Sequence, residues 1–182
     1  MKPVAPPLFV VVSGIPGSGK TTLGRKLAET LRLPFWDKDE ILEKLFETEG
    51  IGDAAWRGKL SRRSDEELIR QVTTSAGAVV VSFWRTEKTG QESGTPLEWI
   101  KQLQGRVIEI QCSCDPTLAA RRFNERRRHA GHLDSLKPAA DPTAFTHLAS
   151  AGSLGIGEVT VVDTSGAYDI EALVTGLCAK VG

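Results

Sequence analysis

The stretch Gly14-Ile15-Pro16-Gly17-Ser18-Gly19-Lys20-Thr21 fits the spacing G-x-x-x-x-G-K-[ST]. The chemistry that fits it is the cradling of phosphates. Glycines let the backbone turn tightly and approach an oxyanion with no Cβ in the way. The freed N–H groups form an anion-binding nest, and a helix starting near Lys20 adds its positive end. In such a loop the lysine reaches the β- and γ-phosphates and the Thr21 hydroxyl holds Mg²⁺. Thr22 follows directly and extends the nucleotide-binding set.

Three further groups carry candidate chemistry. Asp37-Lys38-Asp39 places two carboxylates after a short apolar stretch, one to order the water shell of Mg²⁺ and the other to accept a proton from an attacking hydroxyl. Asp39 is also placed to cap the helix expected from Glu40 onward. Arg121, Arg122, Arg126, Arg127 and Arg128 precede His129-Ala130-Gly131-His132-Leu133-Asp134, with Glu125 as the compensating acid. Phosphoryl transfer needs cations over the transferring group, so Arg122 is read as a nucleotide contact and Arg126 as a catalytic one; a solvated basic face is the plainer alternative. His132 is a candidate substrate contact, without the spacing of a metal ligand set. Trp84 and Arg85, after the run Ala78–Phe83, are substrate candidates, Trp84 equally a core residue. Asp163 and Thr164, after Val159–Val162, fall where an open α/β sheet meets the base of a nucleotide.

The elements that must position these residues are legible. Leu8–Val12 is a continuous apolar run, as in a parallel strand buried on both faces. Leu23, Leu27 and Leu31 share one face of the helix after the glycine loop. Strands are expected at 34–36, 78–83, 106–112 and 159–162. Residues 50–63 read as irregular and basic, with Arg57 among candidates for a substrate flap. Ser64-Asp65-Glu66-Glu67 reads as a capping box opening a helix, and Thr95-Pro96-Leu97-Glu98 as another start. Asp115-Pro116 and Asp141-Pro142 begin helices, and Asp169 caps the last one, with Ile170, Leu173, Val174 and Leu177 inward. Alternating strands and helices make a three-layer α/β domain with a parallel sheet.

Composition sets bounds. The 182 residues are most simply one domain. Lys+Arg and Asp+Glu both number 23, so zero net charge argues against a long nucleic-acid partner. Three cysteines, two of them in an apolar run, point to packing in a reducing, cytoplasmic setting and not to disulfides. Met1–Pro7 shows no signal-peptide pattern, and no apolar run reaches membrane-spanning length.

The glycine loop, Asp37-Lys38-Asp39 and the arginines before Gly131-His132 together resemble the small P-loop kinases of the nucleoside-monophosphate-kinase-like group, over nearly the whole chain. Gly-x-x-Gly-x-Gly-Lys-Thr-Thr-x-Gly-Arg followed by Asp-x-Asp is similar to shikimate kinase. There the first Asp assists Mg²⁺ and the second contacts the accepting hydroxyl, which assigns Asp37 and Asp39 in turn. That family carries a triple glycine after its third strand, where this chain has Ser82-Phe83-Trp84-Arg85. Arg128-His129-Ala130-Gly131-His132 is similar to gluconate kinase, and Asp39-Glu40-Ile41-Leu42 to kinases related to chloramphenicol phosphotransferase, zeta toxin and polynucleotide kinase. The resemblance implies a P-loop NTPase fold with strand order 2-3-1-4-5, one domain over residues 1–182 and a lid at about 126–137. It implies ATP and Mg²⁺ as cofactors and phosphorylation of a small-molecule hydroxyl, by a monomer or homodimer. A nucleotide or nucleic-acid 5′-hydroxyl kinase, and a nucleotide-binding protein without transfer activity, stand as alternatives.

Overall fold

The computed structural model describes residues 6–90 and 93–179. Residues 1–5 of the stretch read for a targeting segment, and residues 91–92 of the loop after Arg85, lie outside the described residues. The strands are β1 (Leu8–Ser13), β2 (Phe35–Asp37), β3 (Gly77–Val81), β4 (Arg106–Ser113) and β5 (Glu158–Asp163). They form one parallel sheet in the order β2-β3-β1-β4-β5. Central β1 is almost wholly apolar because neighbours hold both its edges and helices cover both its faces.

The period-2 alternation of strand side chains divides the core. Val10, Val12, Val79 and Val81 face α1 (Lys20–Leu31) and α6 (Ile170–Ala179), meeting Leu23, Leu27 and Leu177. Phe9, Val11, Ala78 and Val80 face the other way, onto Leu68 and Val72 of α3 (Ala54–Thr73), with Trp84, Trp99 and Ile100. Each fully buried leucine contributes about 1.5–3 kcal/mol of transfer free energy. The helix α2 (Lys38–Glu49) packs on α3 through Leu42, Phe46 and Leu60. The pair α4 (Pro116–Glu125) and α5 (Pro142–Ala149) packs against Ile15 of the glycine loop.

Several local expectations change. Asp37, not Asp39, caps α2: its side chain accepts from Asp39 N at 2.9 Å, and the helix starts at Lys38. Residues 54–63 are helical, because Asp53 caps α3 by accepting from Trp56 N at 2.8 Å. Ser64 is therefore mid-helix and buried, its hydroxyl turned back to Ser61 O. Thr95 opens no α-helix, since its side chain is taken by Asp65 and Ser82; only a 3₁₀ turn follows, Glu98–Gln102. The arginine run is not one helix face either. α4 stops at Glu125 and Arg126 is extended, φ −69 and ψ 141. Asp115, Asp141 and Asp169 cap their helices as expected.

Trp84 ties the sheet end together: its indole N–H donates to Val12 O at 2.8 Å, in a site where the ring is 2% exposed. We expect Trp84→Phe to lower the unfolding free energy by about 1–3 kcal/mol, because the carbonyl is left buried without its donor. A urea midpoint equal to that of the parent would contradict this.

Candidate active site

The carboxyl ends of β1, β2 and β3 and the amino ends of α1 and α2 converge on a cleft of about 550 Å³. Open parallel sheets place their ligands there. The glycine loop forms one wall. Gly17 takes φ 75, and a Cβ on it would lie 2.1 Å from Ala119 O, so the loop packs on α4 only as glycine. Gly19 is left-handed at the start of α1 and leaves the helix amino end open to the cleft. Lys20 is half-buried, and its ammonium donates to Ile15 O at 2.9 Å. Desolvation holds its pKa below the usual range, partly opposed by the carboxylates of Asp39 and Asp37.

Across the cleft, the Thr21 hydroxyl donates to Asp37 Oδ2 at 2.7 Å. Burial pushes the Asp37 carboxyl up to about 6, against the Thr21 hydrogen bond, with Asp39 and Glu40 raising it further. A hydroxyl and a carboxylate at this spacing are hard oxygen donors suited to Mg²⁺, whose remaining ligands are ordinarily phosphates and water. Among the described residues no cluster of His, Cys, Asp and Glu forms a self-sufficient metal site. The residues present therefore fit Mg²⁺ carried in with phosphates.

Asp39 stands further out. Burial raises its carboxyl, but the positive charge and hydrogen bond of Arg128, with Arg126, outweigh this and lower it. Its side chain nevertheless keeps 49% exposure, so these charges act through partial solvent screening. Arg126 lines the cleft with its guanidinium over the Phe123 ring at 4.1 Å, and desolvation and neighbouring Arg128 lower its pKa. Arg122 also lines the cleft. Its guanidinium donates to Thr164 O and Ser165 O at 3.0 and 3.1 Å, which fixes a flat cation at the rim.

The structure thus brings Gly17, Gly19, Lys20, Thr21, Thr22, Asp37, Asp39, Arg122 and Arg126 to one cleft, with Pro16. Gly14 and Ile15 line a small cavity of about 100 Å³ behind the loop, and Ser18 is buried beneath it. Other expected contacts fall outside the cleft. Trp84 lines that rear cavity, and Arg85 donates to Gly94 O. His132 is buried against α2, with Glu43. Thr164 turns its hydroxyl to Ser113 O, and Asp163 accepts from Ser165 N. Arg57, Phe83 and Arg128, which the sequence offered only as flap, pocket and cluster candidates, line the cleft, and Lys38, Ser61 and Lys137 line it without having been assigned roles from sequence. For Arg57 the signal was present, as a basic residue in the expected flap; for Lys137 there was none.

Comparison with known proteins agrees with this layout. Residues 16–85 match the family model described as shikimate kinase. Over 76 residues the chain is 40% identical to a shikimate kinase of Paracidovorax citrulli, a match covering 37% of this chain and 38% of that protein. A shikimate kinase of Legionella pneumophila is 26% identical over 139 residues, 59% of this chain and 77% of that one. Among solved structures, a candidate kinase from Chloroflexus aurantiacus superposes with TM-score 0.75 at 24% identity, covering 97% of this chain and 98% of the other.

The Asp37 environment makes a testable statement. In the metal-free protein Asp37 is mostly protonated below about pH 6 and ionised above it. Mg²⁺ must displace that proton, so the Mg²⁺ requirement for nucleotide binding is expected to rise as pH falls through this value. Asp37→Asn should raise the requirement at neutral pH and flatten the profile; an unchanged profile in the variant would contradict the assignment. The geometry and the matches together give this chain the P-loop fold of the kinases it resembles, with shikimate kinase-like sequence over residues 16–85.

Proposed function

We propose that the protein transfers the γ-phosphoryl group of ATP to a hydroxyl of a small molecule. The observation that carries this reading is the line from Lys20 through Thr21 and Asp37 to Asp39, all in one cleft. The loop amides and Lys20 bind the β- and γ-phosphates, and Arg122 bounds the nucleotide side. Thr21 and Asp37 hold Mg²⁺, which when bound neutralises phosphate charge. Asp39 accepts the proton of the acceptor hydroxyl as its oxygen bonds to the γ-phosphorus and the β,γ-bridging bond breaks. Residues 126–137 act as a lid that brings Arg126 over the transferring group.

The acceptor side is polar and compact. Arg57, Ser61 and Phe83 line the same cleft as Asp39, and its volume of about 550 Å³ suits a small polyhydroxylated molecule better than a nucleic-acid strand. The protein works as a single kinase domain over residues 1–182, as monomer or homodimer, in the cytoplasm. No helix among the described residues is long and apolar enough to cross a membrane.

ADP release from Mg·ATP, screened over alcohols, sugars, sugar acids and nucleosides, tests the proposal. Lys20→Ala is expected to weaken ATP binding and nearly abolish transfer, without rescue by Arg, whose planar fork is not a compact ammonium. Asp39→Asn should keep the fold and Mg·ATP binding, yet lose transfer by about 10²–10⁴-fold, the usual cost of a missing general base. Full transfer activity in Asp39→Asn would remove Asp39 from the chemistry.

A further inference from the structure

The segment after α4 is fastened to α2 by contacts that phosphate binding does not require. His132 is fully buried, with Nε2 2.9 Å from Glu43 Oε1. Phe46 of the same helix meets His132 edge-on at 5.5 Å and stacks on His129 at 5.4 Å. Gly131 lies against that ring: a Cβ there would come within 2.4 Å of it. The segment seats on Phe46 only because this position lacks a side chain. Leu133 then takes a left-handed φ of 57, and the chain turns so that Asp134 faces Arg128.

The residue delivered by this clasp is Arg128. Its guanidinium reaches Asp39 Oδ2 at 2.5 Å with one nitrogen and Asp134 Oδ2 at 3.2 Å with another. Lys137 braces the turn from below, donating to His132 O and Asp134 Oδ1, each at 2.9 Å. The Arg128 side chain is 13% exposed and that of Asp39 49%, so the bridge is partly exposed on the cleft wall.

We propose that His132 is a positioning residue: clasped to Glu43 and Phe46, it holds Arg128 on Asp39 until an acceptor hydroxyl displaces the guanidinium. This rests on the kinase reading above and adds to it a guard against water. Without the guard, a water in the cleft takes the acceptor's place. Its oxygen bonds to the γ-phosphorus, the bridging oxygen leaves with ADP, and its proton passes to Asp39. Arg128 occupies Oδ2 of the carboxylate that would receive that proton. A hydroxyl held by the cleft walls competes for the oxygen with the advantage of a positioned group, which a free water lacks.

The experiment needs no known acceptor. ADP release from Mg·ATP alone is measured for the parent, Glu43→Ala, Arg128→Gln, and each of these combined with Asp39→Asn. Thermal melts and binding of a fluorescent ATP analogue are followed on the same samples. Acceptor-free release is expected to rise roughly fivefold in both single variants, the scale of one partly exposed ion pair, and to lose that rise when Asp39 is Asn. Release that stays level or falls in both folded variants overturns the inference while leaving the kinase reading in place. A rise in Arg128→Gln alone removes His132 from the guard. Failure of the parent to bind the ATP analogue overturns the kinase reading itself.

Discussion

Partial desolvation of the Lys20 ammonium is the constraint around which the other parts are arranged. A lone buried cation is costly, and burial already draws its proton affinity down. It is tolerable because the loop carbonyl of Ile15 accepts from it and Asp37 and Asp39 lie close enough to favour the charged form. Those carboxylates share the cost: Asp37 is raised by its own burial and held by Thr21, while Asp39 is held by Arg128. The cleft is thus a set of partly desolvated charges, each kept ionisable by the others. Under the proposed function, polyphosphate with Mg²⁺ is the complement to such a set.

The sheet makes this arrangement reachable. Parallel strands deliver β1 and β2 ends to the same edge, so Gly14–Lys20 and Asp37 meet although sixteen residues part Thr21 from Asp37. Where the shikimate kinases carry glycines after the third strand, this chain has Ser82, whose hydroxyl lies 2.5 Å from that of Thr95. Thr95 donates in turn to Asp65, which pairs with Lys38 at 2.8 Å. A buried polar network of this kind rigidifies its surroundings only when every member is satisfied, as here. It fixes the wall beside Phe83 and gives the acceptor side a different surface from a run of glycines.

Much of this was legible because it depends on local rules. The glycine loop, the apolar β1, the α1 face and the Asp caps at 115, 141 and 169 follow from spacing and residue type. What was misread depends on partners distant in sequence. Asp37 rather than Asp39 caps α2 because Asp37 must also meet Thr21, and Ser64 sits mid-helix because Asp53 starts α3 earlier. The arginine run looked helical by spacing, yet it breaks at Arg126 and lets Arg128 reach Asp39 and Asp134. His132 looked like a substrate contact because it follows arginines in a glycine-bearing loop. Its burial against Phe46 depends on α2, which no local pattern links to it.

The central claim is that this cleft transfers phosphoryl groups to an organic hydroxyl. Phosphorus-31 NMR of the full chain with Mg·ATP and mixed pools of small hydroxyl compounds tests it most directly. The expected result is ADP together with a new phosphomonoester resonance whose coupling to carbon-bound protons identifies an O–phosphoryl product. ATP consumed only to inorganic phosphate in every pool, or ATP left intact although bound, would contradict it.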